Sequence, residues 1–404
     1  MYTKQEVLDF INEEDVKFIR LAFFDIRGKQ KNISIMPSEL PRAFEDGILF
    51  DASAIYGFES PDGSDLFLVP DPSTIMIIPW RPSTGKVVRM FCNIKTTDGQ
   101  PYAKDCRTLL QNSVKTLQKE CGISMMIGPE VEFYLFKLDE NGEPTEEPFD
   151  HASYMDIAPE DRGENIRREI CFTLEQMGIT PEASHHEEGP GQNEIDFRYS
   201  DALTSADNTS TFKWVVSTKA AANGLWATFS PKPIQKMPGN GMHINISYIN
   251  NSSNSSNNSE LLPYILGGIL KHMSEMTYFF NPSKESYDRL GSFKSPKYIC
   301  WGKHNRSVLI RVPIENGKNG TRLEIRSPDP SCNPYICFSL IIHAALDGIK
   351  NKIEPPKAIE DNLFEITSAE AAKFGLCQLP SCLEQAEEIA KSSDFIKSVL
   401  KGII

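Results

Sequence analysis

The string Gly128-Pro129-Glu130-Val131-Glu132-Phe133 constrains the fold more than any other in this chain. In a strand, residues i and i+2 share a face. Glu130 and Glu132 therefore project together, while Val131 and Phe133 face an apolar, core-like side. Two carboxylates held on one face repel each other unless a cation lies between them. Matching groups follow along the chain: Glu187 in His-His-Glu, Glu194 in Gly-Gln-Asn-Glu, His243 in Gly-Asn-Gly-Met-His and Glu324 in Arg-Leu-Glu-Ile-Arg. Any one of these glutamates alone reads as a solvated strand residue; the combination does not. Five carboxylates and one imidazole suit hard ions such as Mg²⁺ or Mn²⁺ better than zinc, which prefers more nitrogen and sulfur.

Arg289, Arg306, Arg311, Arg322 and Arg326 cluster in the C-terminal third, several beside strand-forming neighbours, as in Ser-Val-Leu-Ile-Arg-Val-Pro. The guanidinium fork binds planar carboxylates and phosphates bidentately and keeps its charge. Surface ion pairing is the plain alternative, but arginines at i±2 from Glu324 on an apolar strand argue against it. Carboxylate-held cations facing an arginine cluster suit phosphoryl transfer, where positioning and charge neutralisation carry most of the catalysis.

A chain of 404 residues exceeds what one core usually organises, so two domains are expected. Its net charge of −13 argues against sequence-independent nucleic-acid binding, which needs a basic face. No stretch reaches transmembrane length and the first residues are not signal-like, so no membrane partner is expected. Nine scattered cysteines read as reduced thiols of a cytoplasmic protein. The pairs Cys332/Cys337 and Cys377/Cys382 have no histidine partners nearby and are read as incidental.

The pattern predicts an opening helix over 4–14, then a small β-rich domain with segments Phe18–Phe24 and Ile33–Met36 and frequent prolines. Asp98-Gly99-Gln100-Pro101 marks the boundary between a domain at 1–100 and one at 101–404. Helices are predicted at Cys106–Cys121 (stopped by Gly122), 161–178, Ser205–Ala222, 261–279, 335–349 and Leu383–Ile389. Asn250–Ser259 is nearly pure Asn and Ser and reads as a solvated loop.

With these strings in hand, the chain resembles the type I glutamine synthetases nearly end to end. The resemblance runs from Phe23-Phe24-Asp25-Ile26-Arg27-Gly28-Lys29 through Phe50-Asp51-Ala52-Ser53 and Pro70-Asp71-Pro72 with Pro79-Trp80. It continues through the cation strings to Asn305-Arg306-Ser307 and Arg326-Ser327-Pro328-Asp329-Pro330. The resemblance implies an α+β fold: an N-terminal β-grasp domain plus a catalytic domain with a curved antiparallel sheet and surrounding helices. It implies ATP-dependent ligation of ammonia to the γ-carboxyl of glutamate through γ-glutamyl phosphate, with two Mg²⁺ or Mn²⁺ ions per site. By motif, one cation falls to Glu132, Glu187 and Glu194, the other to Glu130, His243 and Glu324. Asn245, Ser247 and Arg322 match ATP contacts; Arg289, Arg326 and Gly239 match glutamate binders. Arg306 and Arg311 match the phosphate-stabilising pair, and Asp51 of a neighbouring subunit, Tyr154 and Glu187 match the ammonium pocket. A homo-oligomeric hexameric ring, or a dodecamer of two rings, is implied as well.

The chain also departs from that pattern. Lys294 stands where the family has a loop glutamate that takes the ammonium proton, Ala54 replaces a serine and Pro238 an asparagine. Either Lys294 enters the ammonium pocket as a tethered surrogate cation, or the shorter loop is shifted and the side chain points to solvent. An altered pocket leaves open another small amine as acceptor, or a weakened nucleotide- and glutamate-binding paralogue. Phe364 stands where some bacterial members carry an adenylylated tyrosine, so that control is expected to be missing. The sequence ends at Ile404, short of the C-terminal helices that clasp two rings in typical members, which puts the ring-to-ring contact in question.

Overall fold

The computed structural model describes residues 2–58, 61–251, 260–313 and 322–403. Most of the Asn/Ser run, 252–259, lies outside the described residues. The chain divides into two compact units. One is Met1–Asn112 with Gln176–Gly178 and Leu400–Ile404; the other is Ser113–Glu175 with Ile179–Val399.

The first unit is built on a six-stranded sheet. Val16–Phe24 and Lys86–Lys95 pair in parallel at its centre, and Gln30–Ile35, Asp65–Pro70 and Ile48–Asp51 extend it antiparallel. Ile19, Leu21 and Phe23 bury at every second position and share a core with Val88, Met90 and Cys92. That shared core holds the strand register, because a one-residue slip would take Ile19, Leu21 and Phe23 out of it and onto the face where Ala22 and Phe24 are already buried. The helix Lys4–Glu13 starts at a capping box between Thr3 and Glu6, and buries Val7 and Ile11, four apart, into the same core. This is a β-grasp domain.

The second unit is a ten-stranded sheet with helices packed on it. Its central path runs Trp301–Lys303, Ile310–Val312, Leu323–Ile325, Met242–Asn250, Ile123–Leu138, Gln192–Phe197, Pro181–His186. All pairs are antiparallel except Trp301–Lys303 with Ile310–Val312, an edge exception to the antiparallel expectation. The helix Cys106–Cys121 falls where its pattern predicts. The Ala- and Val-rich helix starts earlier, at Ala202, because the Asp201 side chain caps it by accepting from Leu203 N and Thr204 N at 3.2 Å each.

Candidate active site

Cross-strand register assembles the site in the second unit. Glu130 lies opposite His243 on one side and Asp196 on the other, and Glu132 lies opposite Glu194, itself opposite His185. Glu324 lies between Asn245 and Arg311. Val131 and Phe133 are fully buried on the other face, where Phe133 packs edge-on to Phe212 of the helix Ala202–Ala222. An apolar layer thus clamps one face and leaves the charged row on the other. That row lines a cavity of about 570 Å³, a usual size for a small-molecule site.

At one pole the carboxylates are compensated. His243 Nδ1 is 3.4 Å from Glu130 Oε2 and 3.6 Å from Glu324 Oε1. Asn245 Nδ2 donates to Glu130 Oε1 at 2.8 Å. Arg326 Nη1 donates to Glu324 Oε1 at 2.5 Å, and Arg311 pairs with its other oxygen. Burial pushes Glu324 up, but His243, Arg326 and Arg311 outweigh it and hold the carboxyl at about 2. Glu130 is likewise lowered, burial being offset by its hydrogen bond to His243. His243 is itself lowered by burial and by Arg326, which favours the neutral imidazole a cation requires.

At the other pole they are not. Glu132 Oε2 accepts from Gly241 N at 2.8 Å and from Gln192 Nε2 at 3.0 Å, yet burial and the neighbouring Glu187 push its carboxyl up to about 8. Glu194 is raised as well, by burial and then by Glu132 directly across the ladder. Like charges in opposed positions destabilise a ladder, so this pole calls for a cation. Gly241 is needed here, since a Cβ would come within 2.7 Å of an Arg289 nitrogen.

The candidate cation donors fall into two sets. Glu130, His243 and Glu324 can offer ligand atoms within 4.8 Å of one another, as can His185, Glu187 and Glu194. The expected partner Glu132, which lines the same cavity, is engaged by Gly241 and Gln192 and falls outside the second set, where His185 stands instead. His185 Nε2 is 2.9 Å from Glu187 Oε1. A third buried set, Asp150, Asp161 and His186, already pairs internally, with Arg167 on Asp161, and braces the backbone carbonyl of Glu187 through His186 Nδ1 at 2.6 Å.

The arginines border the same cavity. Arg289, 3% exposed, donates to the carbonyls of Ser327 and Arg326 at 2.8 and 3.2 Å. Arg306 and Arg311 line the cavity, as does the backbone at Gly239. The Nε atoms of Arg311 and Arg326 are buried with no hydrogen-bond partner among the described residues. Such donors fit an anionic ligand. An adjoining cavity of about 420 Å³ holds Asn245 and Ser247, and Glu130 and Arg322 border both.

Tyr154 lines the main cavity, 48% exposed and edge-on to His185 at 5.4 Å; burial and Glu187 raise its hydroxyl pKa. Lys294 lines it too, its Nζ 5.9 Å from the Tyr154 ring, but its ion-pair partner is Glu188, not Glu187. Asp51 belongs to the other unit, exposed at the end of Ile48–Asp51 and capping Ser53 N at 2.8 Å. Gln192, Asp196, His185 and Glu188 escaped the sequence reading. Gln192 and Asp196 flank Glu194 at i±2, so the alternation that exposed Glu130 and Glu132 carried the signal for both.

Two family descriptions match this chain: the glutamine synthetase beta-Grasp domain over residues 15–97, and the glutamine synthetase catalytic domain over 103–403. Glutamine synthetase of Methanosarcina mazei is 45% identical over 98% of this chain and 90% of its own length. That of Clostridium saccharobutylicum is 43% identical over 99% and 91%. Among solved structures, a GmaS/ADP complex superposes with a TM-score of 0.87 at 27% identity, covering 98% of this chain and 93% of that one. Plasmodium falciparum glutamine synthetase reaches 0.84 at 24% over 99% and 95%, a likeness of fold. Fold and site define an ATP-dependent carbon–nitrogen ligase. The chain belongs to the glutamine synthetase family.

Proposed function

We propose that this protein joins ammonia to the γ-carboxyl of glutamate at the expense of ATP, using the cavity between its two carboxylate poles. The observation that carries the reading is one cavity bounded by both cation donor sets and by Arg289, Arg306, Arg311 and Arg326. The relatives at 42–45% identity are glutamine synthetases, which favours ammonia over another amine.

In this reading Glu130, His243 and Glu324 hold one Mg²⁺ or Mn²⁺, and Glu187 and Glu194, with Glu132 or His185, hold the other. The all-oxygen and imidazole donors fit such ions. When bound, the ions would neutralise phosphate charge. Asn245, Ser247 and Arg322, around the adjoining cavity, take the nucleotide. Arg289 and Arg326, with Gly239, orient glutamate, and Arg306 and Arg311 face the charge that develops on the transferred phosphoryl group. Phosphorylation gives the γ-carboxyl a leaving group, and a neutral amine then displaces phosphate. Tyr154 and Glu187 form the acceptor side, where ammonium arrives and loses its proton. Asp51 joins them from a neighbouring subunit of a hexameric ring, placed in the cytoplasm, with the division of labour falling near residue 100.

The test is glutamine formation from glutamate, ATP and ammonium with Mg²⁺ or Mn²⁺, run beside methylamine and ethylamine. Phosphate release with ammonium and none with the amines alone is expected; the reverse preference defeats the ammonia reading. Co-assembling Asp51→Ala and Arg326→Met chains should recover activity that neither has alone. A monomer that turns over would end the shared-site idea.

A further inference from the structure

Glu188 is a carboxylate at the cavity wall that the proposed chemistry does not use. Its backbone N–H donates to Glu187 Oε2 at 3.0 Å, so it is tied to the acceptor side. Its side chain pairs with Lys294, another residue of the cavity lining, on the loop that follows the helix Lys284–Arg289.

The two ends of that loop are held very differently. At its root, the buried Lys232 donates to Met237 O at 2.7 Å and Ser292 Oγ at 3.2 Å, and lies 4.4 Å from the Phe293 ring centroid. Ser292 in turn returns to Arg289 O through both its N–H and its hydroxyl, at 3.0 and 2.7 Å. Among the described residues the tip's ion pair to the opposite wall is Lys294–Glu188, with 63% and 29% of the two side chains exposed, and the Lys294 ammonium also lies 5.9 Å from the Tyr154 ring. Gly291 and Phe293 bend the chain between root and tip at φ 75° and 50°. A left-handed Phe is uncommon and persists where its surroundings hold it. The root is a fixed hinge, and Lys294 at the tip is held by a solvent-screened charge pair beside the Tyr154 ring.

We infer that Glu188 and Lys294 form a latch that holds the loop tip at Lys294 over the acceptor side of the cavity and so sets how readily the amine enters and is retained. The inference rests on the acceptor reading of Tyr154 and Glu187. Lys294 is then a positioning residue: its ammonium is engaged by Glu188, not inserted among the ammonium-binding groups. Because exposed pairs are weak and salt-screened, the latch releases easily, as an entry point must on every turnover.

The experiment compares the parent with Glu188→Gln, Lys294→Met and the charge swap Glu188→Lys/Lys294→Glu. All sites are exposed or half-exposed, so folding is not at stake. Two readouts are taken: hydrogen exchange of the tip amides at 293–295, and KM for ammonium against KM for ATP. Each single variant should speed tip exchange and raise KM for ammonium by about two- to fivefold, leaving KM for ATP in place. The swap should return both toward the parent, and added salt should speed exchange in the parent and the swap but not in the singles. Unchanged exchange in both singles, or a swap that restores nothing, overturns the latch. A parent that makes no glutamine defeats the ligase reading instead, and the latch then stands or falls on exchange and its salt dependence alone.

Discussion

The two poles of the cavity use the same residue type in opposite electrostatic settings. Glu324 sits among Arg311, Arg326 and His243 and is held at about 2, while Glu132 faces Glu187 and Glu194 and is pushed up to about 8. Both are nearly buried, at 2% and 9% exposed. Burial therefore does not separate them; the neighbours do. The first pole is finished by protein cations and is ready for an anion nearby. The second is unfinished, and stability has been set aside there for binding a cation. Identical substitutions at the two poles should thus have opposite signs.

The largest effect is expected from Glu324→Gln. It strips the carboxylate from Arg311 and Arg326 and leaves both guanidinium groups short of a counter-charge. Breaking a buried pair from one side costs about 3–5 kcal/mol, read by denaturant unfolding, with glutamine formation lost. A variant as stable as the parent would show that the first pole is not compensated as described.

Glu132→Gln should do the reverse. The amide oxygen can still accept from Gly241 and Gln192, and the charge that burial and Glu187 oppose is gone. Stability without divalent cations should rise by about 1–3 kcal/mol at pH 7, while Mg²⁺ affinity measured by calorimetry falls at least ~10-fold. Loss of stability would place the two poles in the same class and end the comparison.

The contrast between the poles was only half legible in the sequence. Period-2 alternation exposes Glu130 and Glu132 with their apolar backs, and the short strings around Glu194, His243 and Glu324 mark the rest. What alternation cannot give is the register between strands far apart in the chain. Glu132 opposite Glu194, and Arg311 opposite Glu324, depend on it, and with them the sign of every shift. The Lys294–Glu188 pair joins residues more than a hundred positions apart. Lys294 stands out in the sequence because it breaks a pattern, whereas Glu188 next to Glu187 carries no such mark. In the same way, the residues Gln176–Gly178 and Leu400–Ile404 belong to the first unit through long-range contacts that no local pattern announces.

A smaller effect follows from pH. Glu132 has a folded-state pKa of about 8, above its ordinary 4.5, so the folded protein holds a proton that the unfolded chain gives up. Stability must then fall as pH rises between those values, with the cost absent below about 4.5 and complete above about 8. Without divalent cations the melting temperature should decline from about pH 5 to about pH 8. Added Mg²⁺ should raise it more at pH 8 than at pH 6, since the cation competes with that proton. Glu132→Gln should reduce the slope, leaving the shares of Glu194 and Asp196, which are raised as well, while Glu324, ionised throughout this range at about 2, gives none. A slope that Glu132→Gln leaves unchanged would assign the proton elsewhere.

Asp196 lies between the poles and should respond least. It stands opposite Glu130 and beside Glu194 on the ladder, borders both cavities, and has a buried Oδ1 with no hydrogen-bond partner among the described residues. Burial and Glu130 raise it to about 6 from 3.8, against a hydrogen bond to Glu194 that lowers it. The cost of ionising it is absent below its unfolded value, grows through the interval, and is complete above about 6. Asp196→Asn should therefore stabilise the cation-free protein by under about 1–2 kcal/mol at pH 7, an effect that shrinks as pH falls toward 4 and is gone by about pH 3. Because Asp196 is in neither donor set, Mg²⁺ affinity should change far less than in Glu132→Gln. An affinity loss as large as that of Glu132→Gln would make Asp196 a ligand and move the boundary between the poles one strand residue over.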